Sequence, residues 1–265
     1  MKISYFNGGK TVPSVRFRRP LFDLLSQRGH ECIYHSSYPS RYDDYRWLGW
    51  SRSNRLRRWV RTRQIKRIRK ERFDSVVLET GIFHSEDYSL ERELRFASGR
   101  LVYDIDDAVF LLFPEKVQAI AEMSDQIIAA NQKIAQWARQ FNLCVSVVPT
   151  CVDASEYVAK MHRDDTESSQ KVIGWIGSSG NVPMLAECAP ALREVAGHYD
   201  FQFRVITSDE SKLAQLDLAG VDVRFVDIDR CDVIDQLHQL DIGIMPLPND
   251  DPWMEYKCNA KMIQY

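Results

Sequence analysis

The stretch VIGWIGSSGNVPML, residues 172–185, decides how this sequence is expected to fold. A run typical of a buried strand, VIGWI, is followed by the turn GSSGN at 177–181 and then by a helical pattern with Pro183 near its start. A strand, a glycine turn and a helix in this order begin a unit in which parallel strands are joined by helical crossovers. The amides of such a turn, together with a helix N-terminus, can bind an anion.

The same alternation of strands and helices runs through the rest of the chain. Candidate strands lie at 2–7, 75–79, 101–105, 201–207, 221–226 and 242–246, and candidate helices at 14–28, 132–141, 182–196 and 229–240. Such alternation builds parallel sheets that are covered by helices on both faces. We therefore predict an α/β protein with two Rossmann-like domains, at 1–152 and 171–265, joined by a polar linker at 153–170.

The last residues, CNAKMIQY at 258–265, have the pattern of the first two turns of another helix. Lys257 and Lys261 are four residues apart, so in a helix they would share one face. The sequence stops there without a cap. We expect the second domain to be incomplete and the chain to be C-terminally truncated.

Composition limits the class of protein. The chain has 265 residues, of which 45% are hydrophobic and 27% charged, as in a soluble globular protein. No stretch is apolar enough to span a membrane and the N-terminus has no signal-peptide pattern, so we expect a cytoplasmic protein. The cysteines form no C-x-x-C pair and the histidines have no ligand spacing, so we expect no protein-bound metal.

Charge is distributed unevenly. Residues 46–72 hold twelve Lys/Arg and one acid, although the formal net charge of the whole chain is −2. Leu56, Trp59, Val60 and Arg63 have near-helical spacing, which favours a basic amphipathic helix that could lie on the anionic inner face of a membrane. Single-stranded RNA is a less favoured rival partner, and a solvated surface helix is the plain alternative.

Carboxylates and glycines lie at the predicted strand ends, where open parallel sheets bind their ligands. Asp104, Asp106 and Asp107 fall in VYDIDDAVF, and such neighbouring carboxylates can raise one another's pKa or accept hydrogen bonds from sugar hydroxyls. A helix cap with solvated loop acids is an equally weighted reading. Gly8-Gly9 after the first strand is weak evidence by itself, because a glycine pair often forms only a turn.

The turn at 177–181 carries no positive charge of its own. A nucleotide diphosphate on the amides of Ser178 to Asn181 would need a counter-charge, and Lys257 and Lys261 could supply it at the start of the final segment. A solvated helix face remains the alternative for these lysines.

With these motifs in place, the chain resembles the GT-B glycosyltransferases, specifically the retaining family 4. The matching stretches, in order, are MKISYFNGG, VYDIDDAVF, VSVVPTCVDASEY, VIGWIGSSGNVPML and DIGIMPLPNDDPWMEYKCNAKMIQY. The resemblance covers nearly the whole chain. It implies two Rossmann-like domains, with a nucleotide-sugar donor held mainly by the C-terminal one and an acceptor mainly by the N-terminal one.

The resemblance also implies transfer with retained anomeric configuration, no required metal and no cofactor besides the donor. The acceptor could be a glycan, a lipid-linked molecule or a small molecule. On the donor side, the resemblance implies that Gly177, Ser178 and Asn181 face the diphosphate and that Lys257 and Lys261 supply positive charge. Gly8 and Gly9 would let the first loop approach the donor. On the acceptor side, it implies that Asp104, Asp106 and Asp107 line the site as catalytic candidates.

Two departures from the family pattern bear on the donor site. Serine and asparagine follow the first donor-domain strand, where many members carry arginine and lysine. Of the two glutamates that many members have near this point, the second corresponds to Gln264 and the first falls at Tyr256, beside Glu255. Glu255 and Gln264 are thus candidate donor contacts. Two other functions stay open: a non-catalytic nucleotide-sugar-binding fragment, and an α/β nucleic-acid-binding protein that uses 46–72.

Overall fold

The computed structural model describes residues 1–9, 13–39, 45–157 and 170–265, with the side chains of 13–17 and 46 excepted. Within these ranges the chain forms two compact units. The first comprises Met1–Cys151 and Glu255–Cys258, and the second Val152–Met254 and Asn259–Tyr265. Most of the predicted linker, 158–169, lies outside the described residues.

The first unit contains a six-stranded parallel sheet. Its strands are β1 (Lys2–Asn7), β2 (Glu31–Ser36), β3 (Ser75–Glu79), β4 (Leu101–Ile105), β5 (Gln126–Ala129) and β6 (Val145–Val147). Its α-helices are α1 (Pro13–Gln27), α2 (Trp50–Glu71), α3 (Ser89–Ala97), α4 (Pro114–Met123) and α5 (Gln132–Ala138), with short 3₁₀ helices at Arg46–Leu48 and Val109–Leu111. A further 3₁₀ helix, Pro252–Tyr256, is divided between the two units. The spatial order is β2-β1-β3-β4-β5-β6, and every pair is parallel.

The four inner strands of this sheet, β1, β3, β4 and β5, are largely buried because helices cover them, as their apolar sequences require. Leu78 in β3, Tyr103 in β4 and Ile127 in β5 are inaccessible to solvent. Successive register pairs place Leu78 beside Tyr103 and Tyr103 beside Ile127. The carboxyl ends of β3 and β4 are therefore fixed side by side.

The second unit contains a four-stranded parallel sheet. Its elements are β7 (Lys171–Ile176), a 3₁₀ helix at Ser179–Glu187, α6 (Ala189–Ala196), β8 (Phe201–Thr207), a 3₁₀ helix at Glu210–Gln215, β9 (Asp222–Asp227), α7 (Val233–His238) and β10 (Ile242–Gly243). The spatial order is β10-β7-β8-β9. Trp175, Phe203 and Val205 form the centre of a core cluster against Val182 and Leu185 of the first 3₁₀ helix.

The helix expected over the last residues is not formed. Residues 257–259 have no regular structure and 260–264 form turns. Asn259 adopts a left-handed φ of 51°, which interrupts any helical run. Lys257 and Lys261 therefore do not share a helical face, and the two lysines belong to different units.

The basic segment does form a helix, α2, as its spacing predicts. Its buried residues are Ser53, Arg61, Ile65 and Ile68, whereas Trp59 and Arg63 are exposed. The inner face thus combines two isoleucines with a buried arginine, and Arg61 donates hydrogen bonds to the carbonyls of Asn7 and His35 near the ends of β1 and β2. No helix within the described ranges is long and apolar enough to cross a membrane.

Candidate functional site

Asp104 lies near the carboxyl end of β4 and is 3% exposed. Its Oδ1 accepts a hydrogen bond from Nη2 of the buried Arg18 in α1, at 2.8 Å. The other arm of Arg18 donates to the carbonyl of Val148 at 3.2 Å. Burial raises the pKa of Asp104 to about 6, against the opposing pull of the Arg18 charge. Asp104 is therefore a buried partner of Arg18.

Asp106 follows the end of β4 and is half-buried. Its Oδ1 accepts a hydrogen bond from the hydroxyl of Thr80, at 3.3 Å. Thr80 follows β3 in a left-handed conformation, with φ of 60°, and its carbonyl accepts from the Tyr103 hydroxyl at 2.7 Å. Loss of water around the carboxyl group and the nearby charge of Asp107 raise the pKa of Asp106. A carboxyl group with a raised pKa is suited to accept a proton from a hydroxyl.

Asp107 is bonded to a residue far along the chain. Nζ of Lys257 lies 3.0 Å from Oδ2 of Asp107, and both side chains are partly exposed. Cys258 lies beside this pair, with its Sγ 2.6 Å from the carbonyl oxygen of Asp106. Burial raises the pKa of the Cys258 thiol to about 11, so the thiol stays protonated near neutrality.

The rest of the short segment 255–258 also packs on the first unit. The Asn131 amide donates to the carbonyl of Tyr256 at 2.7 Å, and the Tyr256 ring meets Phe110 edge-on, with ring centroids 5.0 Å apart. Glu255 pairs with Lys133 at 3.2 Å, and both side chains are largely exposed. The structure thus brings Lys257 to the acidic trio.

Gly8 and Gly9 follow β1 in the same unit. The carbonyl of Gly8 accepts from the amide of Tyr38 at 3.0 Å. In the sheet order, β3 separates β1 from β4, so the glycine pair lies two strands from the acidic trio on the same carboxyl edge. The next residues, 10–12, lie outside the described ranges.

In the second unit, the turn after β7 is shaped by the side chain beneath it. A Cβ atom on Gly177 would lie 2.6 Å from the indole ring of Trp175, which is fully buried. Real Cβ contacts are not that short, so only glycine fits here without a shift of Trp175. Ser178 is exposed just before the 3₁₀ helix, and Asn181 donates its amide to the Ser178 carbonyl at 2.9 Å.

Lys261 is the cation of this turn. Its Nζ lies 4.4 Å from the centroid of the Trp175 ring, within cation–π distance. The same Nζ is 3.1 Å from the position that a Cβ on Gly177 would take. The ammonium group and the glycine turn therefore adjoin each other, and an anion placed on the turn would lie within reach of Lys261.

The residues after Lys261 fasten the chain to the same edge of the sheet. The Tyr265 hydroxyl accepts from the amide of Ile176 in β7 at 3.3 Å and donates to the carbonyl of Ile244 at 2.9 Å. Gln264 donates to the Tyr157 hydroxyl at 2.8 Å. Gln264 and Lys261 thus belong to the second unit, whereas Lys257 and Glu255 belong to the first.

Four residues of these two regions escaped the sequence analysis: Arg18, Thr80, Trp175 and Tyr265. Arg18 carries no local signal, because its partner Asp104 is 86 residues away. Trp175 does carry a local signal, because it lies two positions before Gly177. Residues two apart in a strand lie on the same face, so the large ring is expected beneath the glycine. Within the described residues, no group of three or more His, Cys, Asp or Glu could hold a metal ion.

Comparison with known proteins yields no matching family model and no matching curated protein. Solved structures do match. A glycosyltransferase from Rickettsia africae ESF-5 aligns with a TM-score of 0.61 and 13% identity, over 91% of this chain and 72% of that one. An alpha-glucosyltransferase in complex with UDP-glucose and DNA containing an abasic site aligns with a TM-score of 0.55 and 12% identity, over 94% and 73%.

A third neighbour has a different activity. A protein from Listeria monocytogenes assigned as a UDP-N-acetylglucosamine 2-epimerase aligns with a TM-score of 0.56 and 14% identity, over 97% of this chain and 76% of that one. At these identities the likeness shows the fold. The expected α/β fold with two Rossmann-like units is confirmed, and its structural neighbours include glycosyltransferases of the GT-B fold.

Proposed function

We propose that this protein transfers a sugar from a nucleotide-sugar donor to an acceptor hydroxyl. The observation that carries the proposal is the position of the Lys261 ammonium beside the Gly177 turn. The fold adds support, because a solved neighbour holds UDP-glucose. The retaining family 4 assignment, inferred from the sequence motifs, is part of the same proposal.

Transfer breaks the bond between the anomeric carbon and the diphosphate, so negative charge builds up on the leaving group. Lys261 and the backbone amides of Ser178 to Gly180 would offset that charge, and the missing side chain at Gly177 would let the diphosphate approach the backbone. Because the offsetting charge comes from a lysine, we propose that turnover needs no added metal. We also propose that the acceptor attacks on the face from which the diphosphate leaves.

On the acceptor side, the three aspartates would serve differently. Asp104 is buried against Arg18 and Asp107 is bonded to Lys257, whereas Asp106 is half-buried with a hydroxyl partner and a raised pKa. We assign Asp106 the contact with the acceptor hydroxyl. Asp104 would hold the strand end in place, and Asp107 would anchor the segment that carries Lys257.

The donor can be tested without knowing the acceptor, because transferases of this kind also transfer slowly to water. The full chain is incubated with UDP-glucose, UDP-galactose, UDP-N-acetylglucosamine, GDP-mannose or ADP-glucose, and the released nucleoside diphosphate is quantified with and without excess EDTA. We expect release from at least one donor, unchanged by EDTA. Asp106→Asn should lower the release at least tenfold, and Glu93→Gln, an exposed acid-to-amide control on α3, should not.

Three outcomes would count against the proposal. Failure to bind any of these donors at millimolar concentration would remove it. Conversion of UDP-N-acetylglucosamine to an epimer without release of UDP would replace transfer by epimerisation. Donor binding without release, even with a mixture of candidate glycan acceptors, would leave a non-catalytic binding protein.

A further inference from the structure

The outward side of α2 carries a continuous row of cations around one tryptophan. Residues that lie three or four positions apart share one face of a helix, and the row has this spacing throughout. Its members, all exposed, are Arg52, Arg55, Trp59, Arg63, Lys66 and Lys70. At 1.5 Å per residue, the row extends for about 27 Å along the helix.

Four cations on the inner face and flanks of α2 are bonded to the protein itself. Arg61 donates to the carbonyls of His35 and Asn7, Arg57 donates to Ser37, Arg58 pairs with Asp87, and Arg67 pairs with Glu71. These bonds fix which side of the helix faces outward. The acids beside the helix, Asp87 and Glu71, are thereby engaged.

The five cations of the outward row differ in this respect. Within the described ranges, none of them forms an ion pair or a side-chain hydrogen bond, and Arg63 contacts only the Trp59 ring, at 4.1 Å from its centroid. A row of charges that no described residue neutralises creates a local positive potential on a chain whose net charge is −2.

Exposed tryptophans accompany the row. Trp59 is 52% exposed in its middle, and Trp47 and Trp50, just before and at the start of α2, are 81% and 82% exposed. Indole rings partition into the zone between lipid headgroups and acyl chains, and exposed tryptophans at this density are costly to leave in water. The cations match the anionic headgroups of a bilayer surface, and the indoles match the zone just beneath those headgroups.

We propose that α2 docks along its outward row on an anionic lipid bilayer, with the tryptophans inserted between the headgroups. A nucleic acid fits the same observations less well. Bases stack on open ring faces, and Arg63 covers one face of Trp59. Asp87 and Glu71 also place carboxylates beside the row, so the cationic surface is one-sided, which suits a plane better than a strand that winds around the helix.

Vesicle flotation tests this docking directly. The full chain is mixed at low salt with vesicles of phosphatidylcholine, either alone or with a quarter phosphatidylglycerol, and a parallel titration uses a single-stranded oligothymidine. We expect flotation with the anionic vesicles only, lost at high salt, because each basic residue near such a surface strengthens binding about fivefold. Tryptophan emission should shift to the blue on binding.

Matched variants locate the surface. The quintuple variant Arg52→Gln, Arg55→Gln, Arg63→Gln, Lys66→Gln, Lys70→Gln should weaken vesicle binding at least tenfold. A control with the same change in net charge, Arg28→Gln, Arg92→Gln, Arg139→Gln, Arg224→Gln, Arg230→Gln, takes exposed arginines from elsewhere and should bind as the native chain does. Trp59→Gln should weaken binding severalfold, and Phe96→Gln, which alters an even more exposed ring on α3, should not.

The proposal does not depend on sugar transfer, and it can fail by itself. Absence of flotation in low salt would overturn it, as would equal loss of binding in the two quintuple variants. Tighter binding to oligothymidine than to anionic vesicles would replace the bilayer by nucleic acid. Circular dichroism of each variant confirms that the helix is retained.

Discussion

The carboxyl ends of the two sheets are built from different chemistry. In the first unit they carry carboxylates, two of which are bonded to cations from distant parts of the chain, Asp104 to Arg18 and Asp107 to Lys257. In the second unit they carry a glycine turn with a lysine on a buried tryptophan. The charged groups of the first unit thus mainly stabilise the fold. The Gly177 turn of the second unit carries few charges, yet it is the better site for binding an anion.

The largest loss of stability is expected from removing the cation of the buried Arg18–Asp104 pair. Arg18→Leu should lower the free energy of unfolding at pH 7 by about 3–5 kcal/mol, because it leaves the Asp104 carboxylate buried without a partner. Urea unfolding measures this loss. The neighbouring exposed Arg19→Leu, which loses only its pairing with Asp23, should change stability by less than about 1 kcal/mol.

The double variant Arg18→Leu, Asp104→Leu sharpens the test. Removing both charges should recover part of the loss, because no unpaired charge then remains in the interior. If the single and double variants were equally unstable, the packing of Arg18 and not its charge would be what matters.

The pH dependence of stability follows from Asp104 in a defined direction. Its pKa is raised to about 6 in the folded protein, so the folded state binds the proton more tightly than the unfolded chain does. The resulting stabilisation is complete below about pH 4 and is lost as the pH rises through 6, up to about 3 kcal/mol in all.

The stabilisation is measured as the free energy of unfolding of the native chain minus that of Asp104→Asn. This difference should fall from pH 4 to pH 7. A rise over the same range would mean that Arg18 lowers the pKa of Asp104 below its ordinary value. The pair would then be an ordinary ion pair.

In the second unit, adding a single methyl group at Gly177 should destabilise the turn. Gly177→Ala would force a Cβ to within 2.6 Å of the Trp175 ring, and since that ring is fully buried the strain should cost about 1–3 kcal/mol. Gly180→Ala, three residues further on, meets nothing within 4 Å and should be nearly neutral. Thermal unfolding of both variants checks the contrast, and equal behaviour would show that Trp175 does not support the turn.

Part of this architecture could be predicted from the sequence. The strand-and-helix alternation gave the two parallel sheets, since strands such as 75–79 and 101–105 are short apolar runs with clear boundaries. The motifs also indicated a glycine turn after β7, although the chain is already in a 3₁₀ helix from Ser179 and the α-helix expected at 182–196 is formed only over Ala189–Ala196. In contrast, the last segment was expected to be a helix, because its apolar spacing gave no sign that Asn259 turns to a positive φ and that the chain divides there between units.

The pairings within the site were beyond reach for a physical reason. Lys257 and Asp107 are 150 residues apart, and Arg18 and Asp104 are 86 apart, so neither pair leaves a local pattern. The inner contacts of α2 were out of reach for a related reason. The buried Arg61 donates hydrogen bonds to strand-end carbonyls, and apolar spacing in the sequence does not reveal such a polar contact.

The central claim, that the Gly177 turn with Lys261 binds a nucleoside diphosphate, is tested most directly by calorimetric titration of UDP, GDP and ADP. We predict saturable binding of at least one nucleotide by the native chain and at least tenfold weaker binding by Lys261→Gln, because a charge-assisted contact is lost. Lys171→Gln removes a lysine at the opposite end of β7, about 20 Å away, and should bind as the native chain does. Unchanged affinity in Lys261→Gln, or no binding by the native chain, would contradict the account.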